Sequence, residues 1–223
     1  TTSWRAEAKN YTAWVFIAAG VVLYKITRKG NAKIPLGLFG KKQQGCFLVV
    51  DRHSVFRSLA EKSGFTLQLC WSHILQDSKE LARDFGREGM YVHRKLKHIF
   101  ADAASLNHQG TQEQVEKLKE KVIKLFKRHY HHKTIWKFTK NLAKRDLENL
   151  FLFVTNPDID PTNNISEREL RNLVIIRKIS NGSRSVYGAE TTAILSSMIQ
   201  TLRQQNKNIL TGLKDILKIP SES

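Results

Sequence analysis

The hydrophobic pattern of this chain changes period at Ile74, and that change limits the folds open to it. Up to that point, apolar residues come in short runs bounded by turn residues. Beyond it they recur at three- and four-residue spacing, the signature of helices. The first part predicts an antiparallel meander of three strands, residues 4–5, 11–18 and Val21–Thr27, separated by the polar stretch 7–10 and by Gly20. Residues 33–42, rich in Gly and Lys, read as a linker or short helix. Residues 46–50 form a continuous apolar run that suits a strand buried on both faces, and the run stops at Asp51. A carboxylate at the carboxyl end of such a strand points into the crevice where α/β sheets hold ligands. Ser54–Ser63 reads as a helix closed by Gly64, and 66–70 as the next strand.

In the second part, Leu81, Phe85, Leu96, Ile99 and Phe100 are the apolar members of one or two helices. Residues 107–110 form a break. Val115, Leu118, Val122 and Leu125 then repeat as an antiparallel helical hairpin needs, and 135–150 is a further helix. We therefore expect an all-helical insertion over 76–153, after which the chain returns to the sheet domain. Residues 188–204 carry Ala189, Leu195, Met198 and Leu202 on a closing helix. A short helix over 208–217 follows, and the tail 219–223 is expected to fray. The patterning by itself gives an α/β fold with a helical excursion.

With 37 Lys and Arg against 20 Asp and Glu, the net charge is +17, which makes a polyanion the expected partner. The basic residues are spread along the chain and not gathered in one flanking cluster, so nucleic acid is favoured over a membrane surface. A merely soluble basic surface is the plainer alternative. The longest apolar run, 14–24, is too short to span a bilayer, and no signal peptide is visible. Cys46 and Cys70 each adjoin an apolar run and are expected in a core as small hydrophobes, in a reducing cytoplasm. The chain starts at Thr1 without Met and is expected to be part of a longer product.

The stretch 158–185 carries the most chemistry. Pro161 ends the preceding element, and Thr162, Asn163 and Asn164 are turn and cap residues. In the helix that follows, Glu167, Leu170 and Val174 share a face, so a carboxylate heads an apolar stripe. Arg168, Arg171, Arg177 and Lys178 come next, then the Gly/Ser/Arg loop 181–185 with Ser183 and Arg184. A carboxylate that suits a metal, beside a basic surface, is what phosphodiester chemistry on nucleic acid needs. A second reading stands beside it. Asn164-x-x-Glu167 and Ser166-x-x-Glu169 are both capping-box patterns, and Glu167 then only caps a helix.

PTNNISERELR, RK-x-S-x-GSRS and TLRQQNKN, in that order, resemble the C-terminal signature of insertion-sequence transposases, in particular the insertion sequence 66 family. The blocks TSWRAEAKNYTAWVF, LVVD and LCWSH sit where that family has similar ones, so the resemblance covers nearly the whole chain. It implies a ribonuclease-H-like mixed sheet flanked by helices, with the all-helical insertion before the last catalytic helix. The catalytic domain would comprise 1–75 and 154–205, the insertion 76–153, and a C-terminal helix and tail 206–223. It further implies DDE chemistry with two Mg²⁺ or Mn²⁺ ions, in which Asp51 and Glu167 are two of three catalytic, metal-holding carboxylates. Hard oxygen ligands select such ions. Aligning Thr2-Ser3-Trp4 with the family's D-x-T-x-W block puts the first Asp one residue before Thr1. Asp51-Arg52-His53 departs from the usual Asp-Gly-Tyr. Double-stranded DNA, as transposon ends and target, is the implied partner of a homo-oligomer at the prokaryotic nucleoid, with no membrane role. The implied functions are strand cleavage and transfer or, in an inactive or domesticated copy, DNA binding alone.

Cys70-Trp71-Ser72-His73 matches the C-x-x-H such transposases carry after the strand that follows their second Asp. Zinc is one reading, but a structural zinc site takes four ligands, and the second pair would have to come from His129, His131 and His132. The other reading puts Cys70 in the core, with His73 orienting the edge of the site. The run 129–133, with Lys127, Arg128 and Lys133, reads as a basic face that touches phosphate. Trp71 and Trp136 stack on bases or, more commonly for such residues, pack in the core. Arg184 and Ser183 either hold a phosphate or only turn the chain.

Overall fold

The computed structural model describes residues 1–218, so the expected fraying of 219–223 lies outside the described residues. The chain opens with three strands, β1 (Thr2–Ala6), β2 (Lys9–Ala18) and β3 (Val21–Thr27). Then come α1 (Lys33–Phe39), β4 (Phe47–Val50), α2 (Ser54–Ser63) and β5 (Thr66–Leu69). The helices α3 (Trp71–Asp84), α4 (Gly86–Ser105), α5 (Gln112–Lys127) and α6 (Lys133–Asn141) follow. A π-helical turn at Leu142–Asp146 and 3₁₀ turns at Leu147–Asn149 and Leu152–Val154 lead to α7 (Asn164–Ser180), α8 (Val186–Gln204) and α9 (Ile209–Lys218). Contacts divide the chain into two units. One joins Thr1–Asn31 to the chain from Asn164 onward, and the other is Ala32–Asn163.

In the first unit, β1, β2 and β3 form the antiparallel meander that their apolar runs predict, with Trp4 opposite Tyr11 and Ala13 opposite Ile26. Alternation along β1 buries Trp4 and Ala6 and leaves Ser3 and Arg5 outside. Leu173 of α7 and the small Ala189 and Ala193 of α8 close this core against Tyr11, Val22 and Tyr24. Both sheet edges are covered. On β3 the Val22 N–H donates to Thr201 Oγ1 (3.0 Å) and the Tyr24 N–H to Ser197 Oγ (2.8 Å). Four residues of helix rise about 6 Å and two residues of strand about 6.8 Å, so one turn of α8 matches two successive edge positions. On β1, the Ser183 N–H donates to the Arg5 carbonyl (2.8 Å), the Glu7 N–H to the Ser183 carbonyl (3.3 Å), and Arg177 donates to the Ser3 carbonyl.

The fold is mixed α/β with small sheets, as expected in its broad class: the first unit holds the antiparallel meander and the second a parallel pair of β4 with β5. The outer edge of β1 is bonded at Ser3, Arg5 and Glu7.

The second unit is built on the parallel pair and a helical stack. Burial of β4 on both faces holds only at Val50, since Phe47 is exposed and Leu48 and Val49 are half-buried. Cys46 is exposed and Cys70 buried, so the core assignment fails for the first cysteine, which precedes the strand. Trp71 is fully buried, donates its Nε1–H to the Leu150 carbonyl (2.7 Å), and packs against Phe100 and Phe151. Gln68, also fully buried, donates to the Leu150 carbonyl (3.1 Å) and accepts from the Phe153 N–H (3.3 Å), tying β5 to the 3₁₀ turns. The helix expected over 135–150 is α for its first half only; from Leu142 it widens into the π turn and then tightens to 3₁₀. Among the described residues, no strand falls within 76–153, and no helix is long and apolar enough to cross a membrane.

Only Phe85 separates α3 from α4, and the two helices approach closely at Gly89. A Cβ there would lie 2.0 Å from the Leu81 carbonyl oxygen, inside any permitted contact and against backbone that cannot rotate away. Gly89→Ala is expected to cost about 1–3 kcal/mol, the scale of core overpacking, although alanine is the better helix former. A urea titration followed by circular dichroism measures it, and an unchanged midpoint would refute the tight approach.

Candidate functional site

The carboxyl end of the parallel pair is where the second unit gathers its chemistry. Val50 is in register with Leu69, so Asp51 and Cys70 leave the two strands side by side, and the Cys70 N–H donates to the Val50 carbonyl (2.8 Å). Asp51 is partly accessible. Its Oδ1 accepts the His53 N–H (2.9 Å), an Asx turn that fixes the side chain and starts α2.

The residue after it, Arg52, anchors this turn to the rest of the unit. Its guanidinium donates to Asp146 Oδ2 through Nε (3.1 Å) and to Asp77 Oδ2 through Nη1 (3.1 Å), and stacks over the Phe138 ring at 5.1 Å. Asp146 closes the π turn with a side chain that has no exposure at all. It also receives Arg57 Nη2 on Oδ1 (2.6 Å), and Arg145 through Nε on Oδ1 (3.0 Å) and Nη2 on Oδ2 (3.2 Å). Burial works against ionisation of Asp146, but the Arg145, Arg52 and Arg57 guanidiniums outweigh it and hold the carboxyl below its usual range. At Asp77, burial dominates the pull of Arg52 and pushes the carboxyl up. The sequence reading missed this cluster because its members are scattered.

Cys70 is the N-cap residue of α3, and His73 lies in the first turn. Burial raises the Cys70 thiol, but hydrogen bonds from His73 and from the Asn163 N–H (3.3 Å to Sγ) bring it below its ordinary value. An imidazole nitrogen of His73 lies within 4.8 Å of Sγ, so the two supply one soft pair of ligand atoms. The second pair does not come from the histidine run as drawn. His131 and His132 are exposed at the start of α6, where their backbone N–H groups donate to Glu88 (3.1 and 3.3 Å). Lys127, Arg128 and Lys133 are exposed, and Arg128 stacks over Tyr91 at 4.2 Å. Lys133, Lys137 and Lys140 form an exposed basic stripe along α6, with Lys144 beyond it, and Lys140 lies over the half-exposed Trp136 at 4.7 Å. The i, i+4, i+7 spacing of those three lysines was a signal the sequence held.

In the other unit, α7 separates its two candidate carboxylates. Glu167 is exposed in the first turn. The buried carboxylate is Glu169, which accepts from Tyr24 (3.2 Å), Asn172 (3.2 Å) and Gln204 (3.3 Å). The face that α7 buries is therefore marked by Glu169 and Leu173, not by Glu167, Leu170 and Val174. Arg168, Arg171 and Lys178 are exposed, whereas Arg177 is half-buried and bound to Ser3. The loop after α7 turns at Asn181 (φ 56°) and Gly182 (φ 97°). At Gly182 a Cβ would lie 2.2 Å from the Arg5 carbonyl, so only glycine lets the loop dock on β1. Trp4 Nε1 donates to Ser183 Oγ (3.2 Å), and Arg184 is exposed beside it.

A family model described as Transposase IS66 family matches residues 2–191. Neither the curated proteins nor the solved structures gave a match.

Proposed function

Because this chain belongs to the Transposase IS66 family, we propose that it is a catalytic domain that cleaves and joins DNA strands by two-metal DDE chemistry. The family match over residues 2–191 carries the reading. Its support within the fold is an accessible carboxylate, Asp51, at the carboxyl end of a parallel strand. We read residues 1–75 and 154–205 as the ribonuclease-H-like catalytic domain and 76–153 as its helical insertion.

The donor chemistry suits Mg²⁺ or Mn²⁺. Asp51 and Glu167 offer accessible carboxylate oxygens, while Asp146 is held by three arginines and Glu169 is buried among three donors. Asp51 and Glu167 are the carboxylates we assign to the ions, as the second and third of the DDE set. Bound there, such ions supply activation of water or a 3′-hydroxyl and neutralise charge on the leaving oxygen. The protein's own part is positioning. The His53 N–H orients the Asp51 carboxylate, and Arg52 pins the turn that carries it. The exposed bases on α6 and α7 bind double-stranded DNA along its phosphates.

Protein with an Asp directly before Thr1, given duplex carrying the element's ends, should nick it only with Mg²⁺ or Mn²⁺, and Asp51→Asn should abolish the nicking. Binding without any cleavage by the unsubstituted protein would replace this reading with that of an inactive DNA-binding copy. Duplex affinity should fall with salt by a log–log slope of about −0.9 per phosphate neutralised, as the net charge of +17 leads one to expect. An affinity indifferent to salt would count against a nucleic-acid function.

A further inference from the structure

The loop docked on β1 leaves a cleft of about 490 Å³ in the first unit, lined by Arg5, Glu7 and Ala8 on one side and by residues 180–184 on the other. Two guanidiniums border it. Arg5 points outward because the alternation of β1 sends Trp4 and Ala6 inward, and Arg184 leaves the loop immediately after the docked Ser183. Both are exposed, and neither has an ion-pair or hydrogen-bond partner for its side chain among the described residues. Three residues on from Arg184, in the first turn of α8, Tyr187 is 79% exposed. Ser185 caps this turn through its hydroxyl, which accepts the Gly188 N–H (3.0 Å). The tyrosine therefore stands on a fixed helix start.

We propose that this cleft, together with the first turn of α8 that follows its loop, is a subsite for an unpaired DNA strand: Arg5 and Arg184 take phosphodiester oxygens in the cleft, and the Tyr187 ring, outside its lining, stacks on a base. The proposal deepens the DNA-processing reading above and rests on it. Guanidinium forks match phosphate oxygens in pairs. An aromatic face needs an open base face, which a duplex hides in its stack and an unpaired strand presents. The Glu7 carboxylate on the same rim opposes phosphate, a repulsion that the two guanidiniums have to outweigh.

Fluorescence anisotropy with a short labelled oligothymidylate and, in parallel, a mixed-sequence duplex tests the subsite on the intact chain. Tyr187→Ala should weaken the single strand about tenfold and leave the duplex within about twofold, while Tyr187→Phe keeps both. Arg5→Ala and Arg184→Ala should each weaken the single strand and lower its salt slope by about 0.7. Glu7→Gln should strengthen it. Single-strand affinity unchanged in Tyr187→Ala, an equal loss on both DNAs, or no single-strand binding by the unsubstituted chain overturns the subsite. If the duplex is still bound in those cases, the DNA-processing reading survives. Absence of duplex binding counts against that reading instead. Matching thermal melts for the exposed-site variants exclude misfolding as the cause.

Discussion

Asp146→Ala is expected to destabilise the Ala32–Asn163 unit by about 3–5 kcal/mol, the cost of breaking a buried ion pair from one side. The substitution leaves Arg52, Arg57 and Arg145 facing one another without the carboxylate that all three share. Arg52 and Arg57 are mostly buried and cannot all turn to water, whereas Arg145 is about half exposed and can. Asp146→Asn keeps the shape and some hydrogen bonds but not the charge, so it should fall between. The same cluster sets a pH dependence. The folded Asp146 carboxyl is held below its ordinary value, so its contribution is fully present above the unfolded value, near pH 4, and is lost as pH falls through the folded one. Urea midpoints measured from pH 7 down should converge for the unsubstituted protein and Asp146→Asn at acid pH. Parallel curves would show that Asp146 contributes shape and not charge.

Much of the first unit's strand order was legible because its signal is local. Apolar alternation and the turn residues around Glu7 and Gly20 give β1, β2 and β3, and Gly64 marks the end of α2. The covering of the meander's two edges was not legible. Thr201 and Ser197 reach β3 across 179 and 173 positions, and Ser183 and Arg177 reach β1 from equally far, through single polar side chains or one backbone bridge with no periodic signature. The arginine cluster was hidden for the same reason, since Arg52 and Arg57 meet Asp146 across 94 and 89 positions. The buried face of α7 was misjudged for a different one. Leu173-Val174-Ile175-Ile176 is apolar at four successive positions, which leaves the helical phase undetermined. In the fold Leu173 is buried while Ile175 and Ile176 are exposed.

That phase decides which carboxylate of α7 faces the core and which lies at the surface. Glu167 and Glu169 are two positions apart, about 200° around the helix. One must therefore face away when the other is buried. Glu169 is the buried one, and its three donors serve the fold. Glu169→Gln turns an acceptor into a partial donor among Tyr24, Asn172 and Gln204, and should cost about 1–3 kcal/mol of stability. With the fold retained, it should leave the chemical step nearly unchanged. Glu167→Gln is expected to do the reverse. An exposed first-turn residue loses little on this isosteric change, because glutamine caps as well as glutamate does. A metal ligand loses the charge that balances the cation. In protein with an Asp directly before Thr1, Mg²⁺-dependent cleavage should drop at least about a hundredfold, the scale for removing one preorganised charge-stabilising group. The thermal midpoint and duplex affinity should hold. Full cleavage by Glu167→Gln, with loss in Glu169→Gln beyond its effect on folding, would move the third carboxylate to Glu169 and turn the metal-binding face of α7 toward its core.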